Sequence, residues 1–248
     1  MDVFIPKTVS SQKPFAIIVH GGAWTLGDKR NIRMTQRYLM KNGIPTANIN
    51  YRLASKEHNL DHQLEDINSV IKFLDRDLSK YGLKPDKYTL IGESSGGHIS
   101  LLYGYAHLNK VKNIIAFFPP TNFEDKTQNK TVAKLSLPIM KQLLGTGTKE
   151  EVSRALRKAS PVTQVSDVPT LLFQGTWDFI VNPKQALELD SVLAKRNVKH
   201  KLVLVEKGTH FMRLNPNTRR NILYPEMIEW ILNGECNSVS PDNYAVPE

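Results

Sequence analysis

One short stretch of the chain, GESSG at residues 92–96, has residue types and spacing suited to nucleophilic catalysis. It follows the apolar run YTLIG, which is typical of a strand, and precedes a segment with helical spacing. In that context G-x-S-x-G predicts a sharp turn that lifts the central serine, Ser94, above a sheet. Gly92 and Gly96 remove side chains that would collide with neighbouring backbone. Small residues also mark ordinary helix starts, so the motif needs support from the rest of the chain.

A second glycine-containing stretch, HGGAW at residues 20–24, directly follows the first clear strand of parallel type. Glycines leave backbone N–H groups unobstructed, and such groups can hold the negative charge that develops on a carbonyl oxygen during acyl transfer. We therefore predict an oxyanion hole formed by the N–H groups of Gly21, Gly22 and Ser95, the residue after the nucleophile. The alternative is a simple Gly-Gly turn.

A serine hydroxyl also needs a base to accept its proton and an acid to orient that base. The stretch QGTWDFIVNP places Asp178 just past the end of a strand, and EKGTHFM places His210 just past the next. The carboxyl ends of parallel strands meet at one edge of a sheet, and the order serine, acid, histidine is that of G-x-S-x-G hydrolases. The sequence therefore predicts a catalytic triad of Ser94, Asp178 and His210.

Other histidines and aspartates fit these roles less well. His98 lies four residues beyond Ser94 on the same predicted helix, which favours a packed residue, and His20 is better placed to brace the glycine loop. Asp167 precedes its strand, at the opposite edge of the sheet, and Asp190 falls inside a predicted helix. Position therefore selects Asp178 and His210.

The elements that must hold these residues alternate along the chain. Short runs rich in Ile, Val and Leu are each followed by a segment with helical spacing, which predicts an α/β fold with a mostly parallel sheet flanked by helices. The predicted strands are 15–19, 44–50, 88–92, 113–118, 169–174 and 201–206, and the predicted helices are 31–41, 61–80, 95–107, 183–196 and 218–232.

Length and pattern together predict one domain over residues 1–248. Residues 121–165 break the alternation, and we interpret them as a short helical cap insertion over one end of the sheet, where ligands bind in such folds. The tail from about residue 233 has turn and charged residues without periodicity, so we expect it to be irregular.

Composition narrows the classes of partner. The net charge of +9 comes from Lys and Arg residues scattered among acids, which disfavours nucleic-acid binding. The single cysteine, Cys236, excludes a disulfide within the chain. No stretch approaches the roughly 20 apolar residues of a membrane span, and the start lacks a secretory-signal pattern. We expect a cytoplasmic protein that acts on a small molecule and needs no cofactor and no metal, since no cluster has metal-ligand spacing; the oligomeric state stays open.

Taken together, these motifs resemble the α/β-hydrolase fold, and within it the serine esterases related to hormone-sensitive lipase and the small bacterial carboxylesterases. NINYRLA at residues 48–54 and GESSGGH at residues 92–98 add to the likeness. The usual third glycine of the loop is Ala23 here, and the resulting H-G-G-x-W pattern is also similar to that of kynurenine formamidases. Trp24 extends the glycine loop, so we predict that it lines the substrate pocket, and the alternative is a residue of the core. Arg52 we read as half of a scaffold ion pair with Asp66.

The resemblance implies hydrolysis of carboxylic esters through an acyl-enzyme. We expect short acyl chains to be preferred, because the short segment at 121–165 offers little apolar wall to additional methylenes. Small relatives of this type include enzymes that act on acetyl or feruloyl esters of plant polysaccharides. Two alternatives stay open: hydrolysis of formyl amides, as the H-G-G-x-W loop suggests, and a non-catalytic ligand-binding protein on the same fold.

Overall fold

The computed structural model describes residues 1–7, 13–125, 130–145 and 147–233. These residues form a seven-stranded sheet in the order β1-β3-β2-β4-β5-β6-β7, in which β1 pairs antiparallel with β3 and every other neighbouring pair is parallel. The strands are β1, Asp2–Phe4; β2, Phe15–Val19; β3, Thr46–Ile49; β4, Tyr88–Glu93; β5, Val111–Phe117; β6, Thr170–Gly175; and β7, His200–Val205.

Helices cover both faces of the sheet. On one face α2, α3 and α7 pack against one apolar core, and on the other face α1 and α9 pack against a second. Short 3-10 turns and one π-helical turn, Arg219–Leu223, join several of these elements. The helices are α1, Arg33–Lys41; α2, Leu60–Asp77; α3, Ser95–Ala106; α4, Lys130–Leu144; α5, Lys149–Lys158; α6, Pro161–Gln164; α7, Pro183–Lys195; α8, Pro216–Thr218; and α9, Tyr224–Asn233.

The central strands are apolar on both sides, as expected of parallel strands that lie between two layers of helices. All residues of β2, β3 and β6 are buried, and so are the first five of β4. Burial on both faces explains why β2, β4 and β6 are rich in Ile, Leu and Phe without alternation, whereas the short β3 also buries the polar residues Thr46 and Asn48. It also fixes the strand ends, from which the loops of the site project.

The predicted fold class is confirmed, and each predicted strand is present with its ends shifted by at most two residues. The segment 121–165 contains α4, α5 and α6 in its described part, and its role as a cap over the site stays a proposal. The predicted irregular tail lies almost entirely outside the described residues. Within the described part of the chain, none of the helices is both long and apolar enough to cross a membrane.

Candidate functional site

The turn between β4 and α3 holds Ser94 in a strained backbone conformation. Its φ of 52° and ψ of −119° lie in a region that residues with a side chain rarely adopt. A Cβ at Gly92 would overlap the carbonyl oxygen of Gly96, and a Cβ at Gly96 would overlap the carbonyl oxygens of Val19 and His20. Glycine is therefore required at both positions. The turn leaves Ser94 half-buried at the carboxyl edge of the sheet.

His210 and Asp178 lie on the loops that follow β7 and β6, and they meet Ser94 at this edge. The Oγ of Ser94 lies 2.9 Å from Nε2 of His210, and Nδ1 of His210 lies 2.8 Å from Oδ2 of Asp178. The Asp178 carboxylate and the His210 ring are both buried. The structure thus brings the three residues predicted as a triad into one continuous hydrogen-bonded chain.

The carboxylate of Asp178 is held by more groups than His210 alone. Its Oδ1 accepts hydrogen bonds from the backbone N–H groups of Ile180 and Val181, each at 2.9 Å. Its Oδ2 accepts a further hydrogen bond from the side-chain amide of Gln174, at 3.1 Å. Sequence reasoning missed Gln174, because a glutamine inside a buried strand carries no local signal of its partner.

Aromatic rings flank the imidazole of His210. The fully buried ring of Phe118 lies 4.7 Å from it between centroids, and the ring of Phe211 meets it edge-on at 5.8 Å. Phe211 is 53% exposed, and Trp177 and Phe179, on either side of Asp178, are also more than half exposed. The imidazole is therefore packed on its inner side and bordered by exposed apolar side chains on its outer side.

The loop at residues 20–24 lies directly against the serine. A Cβ on Gly21 would approach the Cβ of Ser94 to 3.3 Å, and Gly22 adopts a φ of 137°, which favours glycine. Ser95 is the first residue of α3, so its N–H has no carbonyl partner within the helix. The backbone that we predicted to form an oxyanion hole therefore lies next to the side chain of Ser94. The roles of Gly21, Gly22 and Ser95 in that hole stay predictions.

His20 and Tyr51 hold this loop in place through hydrogen bonds and ring stacking. Nδ1 of His20 lies 2.8 Å from the carbonyl oxygen of Gly21, and its ring stacks on Tyr51 at 4.4 Å. The Tyr51 hydroxyl donates to the carbonyl oxygen of His20 and lies 3.4 Å from Oγ of Ser95. Burial lowers the pKa of His20 and raises the pKa of Tyr51 to about 12, so both rings are neutral near pH 7. The predicted bracing role of His20 is confirmed.

Trp24 lies in the core rather than at an open surface, with 6% of its area exposed. Its indole N–H donates to Nδ1 of His98 at 3.1 Å, and Nε2 of His98 lies 2.8 Å from the carbonyl oxygen of Ala159. Burial lowers the pKa of His98 to about 4, which keeps the ring neutral and able to make both hydrogen bonds. His98 is thus the packed residue that we predicted, and contact of Trp24 with a substrate stays a prediction.

Two ion pairs join elements around the site. The guanidinium of Arg52 contacts the carboxylate of Asp66, with Nη2 and Oδ1 2.8 Å apart, which confirms the predicted scaffold pair. Sequence reasoning missed the second, in which the buried guanidinium of Arg213 pairs with Glu93, the residue before the nucleophile. This pair joins the loop of His210 to the turn of Ser94. No three His, Cys, Asp or Glu side chains of the described residues come together as a metal site requires.

The fold and the geometry of the site define an α/β hydrolase. Residues 1–193 match the BD-FAE family, which is more than half of the chain, and the protein belongs to that family. The matched range contains Ser94 and Asp178, whereas His210 lies beyond its end.

The chain is also similar to individual proteins. It is 24% identical over 238 residues to a probable isoprenylcysteine alpha-carbonyl methylesterase of Arabidopsis thaliana, covering 85% of this chain and 48% of that protein. It therefore spans about half the length of this curated relative.

Two solved structures share its fold. A truncated carbohydrate esterase from gut microbiota superposes with a TM-score of 0.79 at 19% identity, covering 93% of this chain and 89% of that one. A butyrate-bound esterase, Est2, from Thermogutta terrifontis gives a TM-score of 0.73 at 18% identity, covering 94% and 87%.

Proposed function

We propose that the protein is a serine hydrolase that cleaves carboxylic esters. The observation that carries this proposal is the hydrogen-bonded chain from Ser94 through His210 to Asp178, with heavy-atom distances of 2.9 and 2.8 Å. These are the distances at which a base can take the proton of a hydroxyl and be oriented by an acid. Membership of the BD-FAE family and the likeness to esterases support the same reaction class.

In the proposed mechanism Nε2 of His210 accepts the proton of Ser94 as its Oγ attacks the ester carbonyl. Asp178 holds the imidazole in the tautomer with Nδ1 protonated and stabilises the imidazolium that forms. The backbone N–H groups of Gly22 and Ser95, together with that of Gly21, hold the oxyanion. His210 then gives its proton to the departing alcohol, which leaves an acyl group on Ser94.

The second half of the reaction reverses these proton transfers. Water takes the position of the departed alcohol, His210 accepts its proton, and the resulting hydroxide attacks the acyl-enzyme carbonyl. The same N–H groups hold the second oxyanion, and the proton returns to Ser94 as the carboxylic acid leaves. Every proton transferred is returned, so residues of this chain and one water complete the cycle.

We further propose that the substrates carry short acyl groups. The segment that we interpret as a cap contains only α4, α5 and α6 in its described part, and α5 buries none of its side chains. A cap of this kind supplies little apolar wall for a long chain, and each methylene gains about 0.8 kcal/mol only when it is fully buried. The structural neighbour from Thermogutta terrifontis was solved with butyrate bound, which fits the same size range.

Ser94→Ala tests the proposed function. We expect the variant to lose about a millionfold in kcat on 4-nitrophenyl acetate, because the nucleophile is removed while the fold is kept. Ser100→Ala is the matched control, since Ser100 is a buried serine on α3, the helix that follows Ser94, and it should keep activity close to that of the parent. Undiminished activity in a folded Ser94→Ala variant would refute the proposal.

A further inference from the structure

Gln174, in β6, is a fully buried polar residue that the mechanism above does not use. Its Nε2 donates to Oδ2 of Asp178 at 3.1 Å and to the carbonyl oxygen of Gly175 at 3.3 Å. Among the described residues its Oε1 has no hydrogen-bond partner. A buried amide oxygen without a partner is costly, so the geometry indicates that the residue is kept for what its amide donates to.

The Asp178 carboxylate shows what this donor supplies. An ionised carboxylate offers about four acceptor positions, two on each oxygen. The N–H groups of Ile180 and Val181 fill the positions on Oδ1, and His210 Nδ1 and Gln174 Nε2 share Oδ2. The side chain of Asp178 has no exposed surface, so bulk water cannot replace a missing donor. Gln174 therefore completes the solvation of the buried charge.

We propose that Gln174 is a positioning residue of the triad that fixes the Asp178 carboxylate and disperses its charge. This inference rests on the proposed function. A hydrogen bond to the charged form of an acid disperses its charge. With Gln174 in place, Asp178 keeps a single orientation and holds the imidazole of His210 toward Ser94. Without Gln174, the charge on Asp178 is less dispersed, and the carboxylate should attract the imidazolium of the reaction more strongly.

Over the residues that the structure describes, the other titratable and charged groups near His210 form no hydrogen bond or ion pair with Gln174 or Asp178. In the described part of the chain, Glu93 from the β4–α3 turn and Arg213 from the loop of His210 pair with one another. Burial lowers the pKa of His20, which faces the site from the glycine loop and stays uncharged. Lys207 lies at the surface over the ring of Trp177, with its Nζ 6.0 Å from the ring centroid. Asp178 is therefore the charge that Gln174 modifies directly.

Gln174→Met removes the donor and keeps most of the side-chain volume. We expect kcat on 4-nitrophenyl acetate to fall about tenfold, which is what loss of one hydrogen bond to a charged group produces. We also expect the acid limb of the kcat/KM profile to move to higher pH, because the less dispersed charge of Asp178 attracts the imidazolium more strongly. The KM should change little, because Gln174 is fully buried and does not touch the substrate.

Two comparisons separate positioning from a general loss of packing. Gln36→Met is the matched control, because Gln36 is a buried glutamine on α1 whose amide donates to Asp2 and Thr46, and its acid limb should not move. In an Asp178→Asn background, Gln174→Met should cost less than about twofold further in kcat, since its partner is already uncharged. A purely structural role would cost the same in both backgrounds and would leave the acid limb in place, and either result would overturn the inference.

A measurement on the unaltered protein covers the case in which Gln174→Met does not fold. By NMR, the side-chain amide protons of Gln174 should exchange slowly with solvent, and their chemical shifts should change over the pH range of the acid limb. Fast exchange, or shifts that do not change with pH there, would contradict the inference. If Ser94→Ala is inactive as expected and these signals do not respond, the inference on Gln174 fails while the proposed function stands.

Discussion

The loops around Ser94 and the helices of residues 130–158 are held in place by different means. At the sheet edge, backbone groups of neighbouring strand ends bind one another: the N–H of Ser94 donates to Phe117 O at 2.9 Å, and the N–H of Phe118 donates to Phe173 O at 2.7 Å. Asp178 is fixed in turn by two N–H groups of its own loop. The turn of Ser94 and the carboxylate of Asp178 are thus held in part by backbone hydrogen bonds of the strand ends and their loops.

In their described part, the helices α4 and α5 have fewer hydrogen bonds to the sheet than the loops around Ser94 have. None of the side chains of α5 is buried, and a cavity of about 300 Å³ lies where α4 and α5 face α2 and α3. Leu64, Leu102 and Leu143 are among its lining residues. The segment just after α5, by contrast, is tied to the body of the fold: the carbonyl oxygen of Ala159 contacts Nε2 of His98, and Oγ of Ser166 donates to the carbonyl oxygen of Tyr105.

From this difference we expect separate tasks for the two regions. Catalysis needs reacting groups held to within about half an ångström, which rigid strand ends provide. Selection of an acyl group needs only a wall of the right depth, and a loosely packed segment can vary without disturbing the triad. Substitutions at the sheet edge should therefore change the rate of every ester, and substitutions in α4 and α5 should change the preference among esters.

The largest effect should come from Asp178→Asn, at the most constrained point of the sheet edge. The amide removes the charge that stabilises the imidazolium of His210 and favours the wrong tautomer, so kcat should fall about ten-thousandfold on all esters alike. Asp190→Asn, in α7, is the control and should leave kcat close to that of the parent. A fall in kcat of less than tenfold in Asp178→Asn would show that the acid lies elsewhere.

A smaller effect is expected at the Arg213–Glu93 pair, which joins the two halves of the site. Arg213→Met leaves the half-buried carboxylate of Glu93 without its partner, which should lower the free energy of unfolding by about 3 kcal/mol. The double variant Glu93→Gln with Arg213→Met should recover a large part of that loss, because the unpaired charge is removed. Denaturant unfolding of the parent, the two single variants Arg213→Met and Glu93→Gln, and the double variant measures the coupling free energy between the two side chains.

Two results would count against the pair's role. One is a loss of unfolding free energy in the double variant that equals the sum of the losses in the two single variants, because such additivity means that the two side chains do not interact. The other is an equal loss in Arg30→Met, which breaks an exposed pair with Asp28 and should have no measurable effect.

The smallest effect concerns the acyl chain and the segment at 121–165. We expect kcat/KM for nitrophenyl esters to fall from acetate through butyrate to palmitate, because that segment offers little apolar surface to long chains. N-formylkynurenine and acetylated xylan, run in the same series, distinguish formyl-amide and polysaccharide substrates. A steady rise in kcat/KM toward palmitate would reveal an extended apolar channel and would contradict the expectation that the segment at 121–165 offers little apolar surface.

Local sequence patterns predicted the sheet well, because burial on both faces imposes an apolar run at each strand. The predicted strand at 15–19 coincides with β2 for this reason. Helix ends were less accurate. The helix predicted at 61–80 ends at Asp77 and continues as a 3-10 turn closed by Gly82 in the left-handed region, and the one predicted at 218–232 begins with a π-helical turn. Such changes of hydrogen-bond pattern leave the apolar periodicity almost unchanged.

The predicted triad residues came together because each follows a strand, and strand ends share one edge of the sheet. Contacts between distant positions had no comparable signal. Arg213 and Glu93 are 120 residues apart in sequence, and Gln174 reads as an ordinary member of a buried strand. The buried position of Trp24 depends on His98, 74 residues away, so the loop pattern alone could not distinguish core from pocket.

The central claim is that Ser94 is the nucleophile, and covalent labelling tests it most directly. The native protein should react with a fluorophosphonate probe, and mass spectrometry of the digested protein should place a single adduct on Ser94. Labelling should be absent after heat unfolding, and also in a folded Ser94→Ala variant. An adduct on another residue, or no adduct on native protein, would contradict the account.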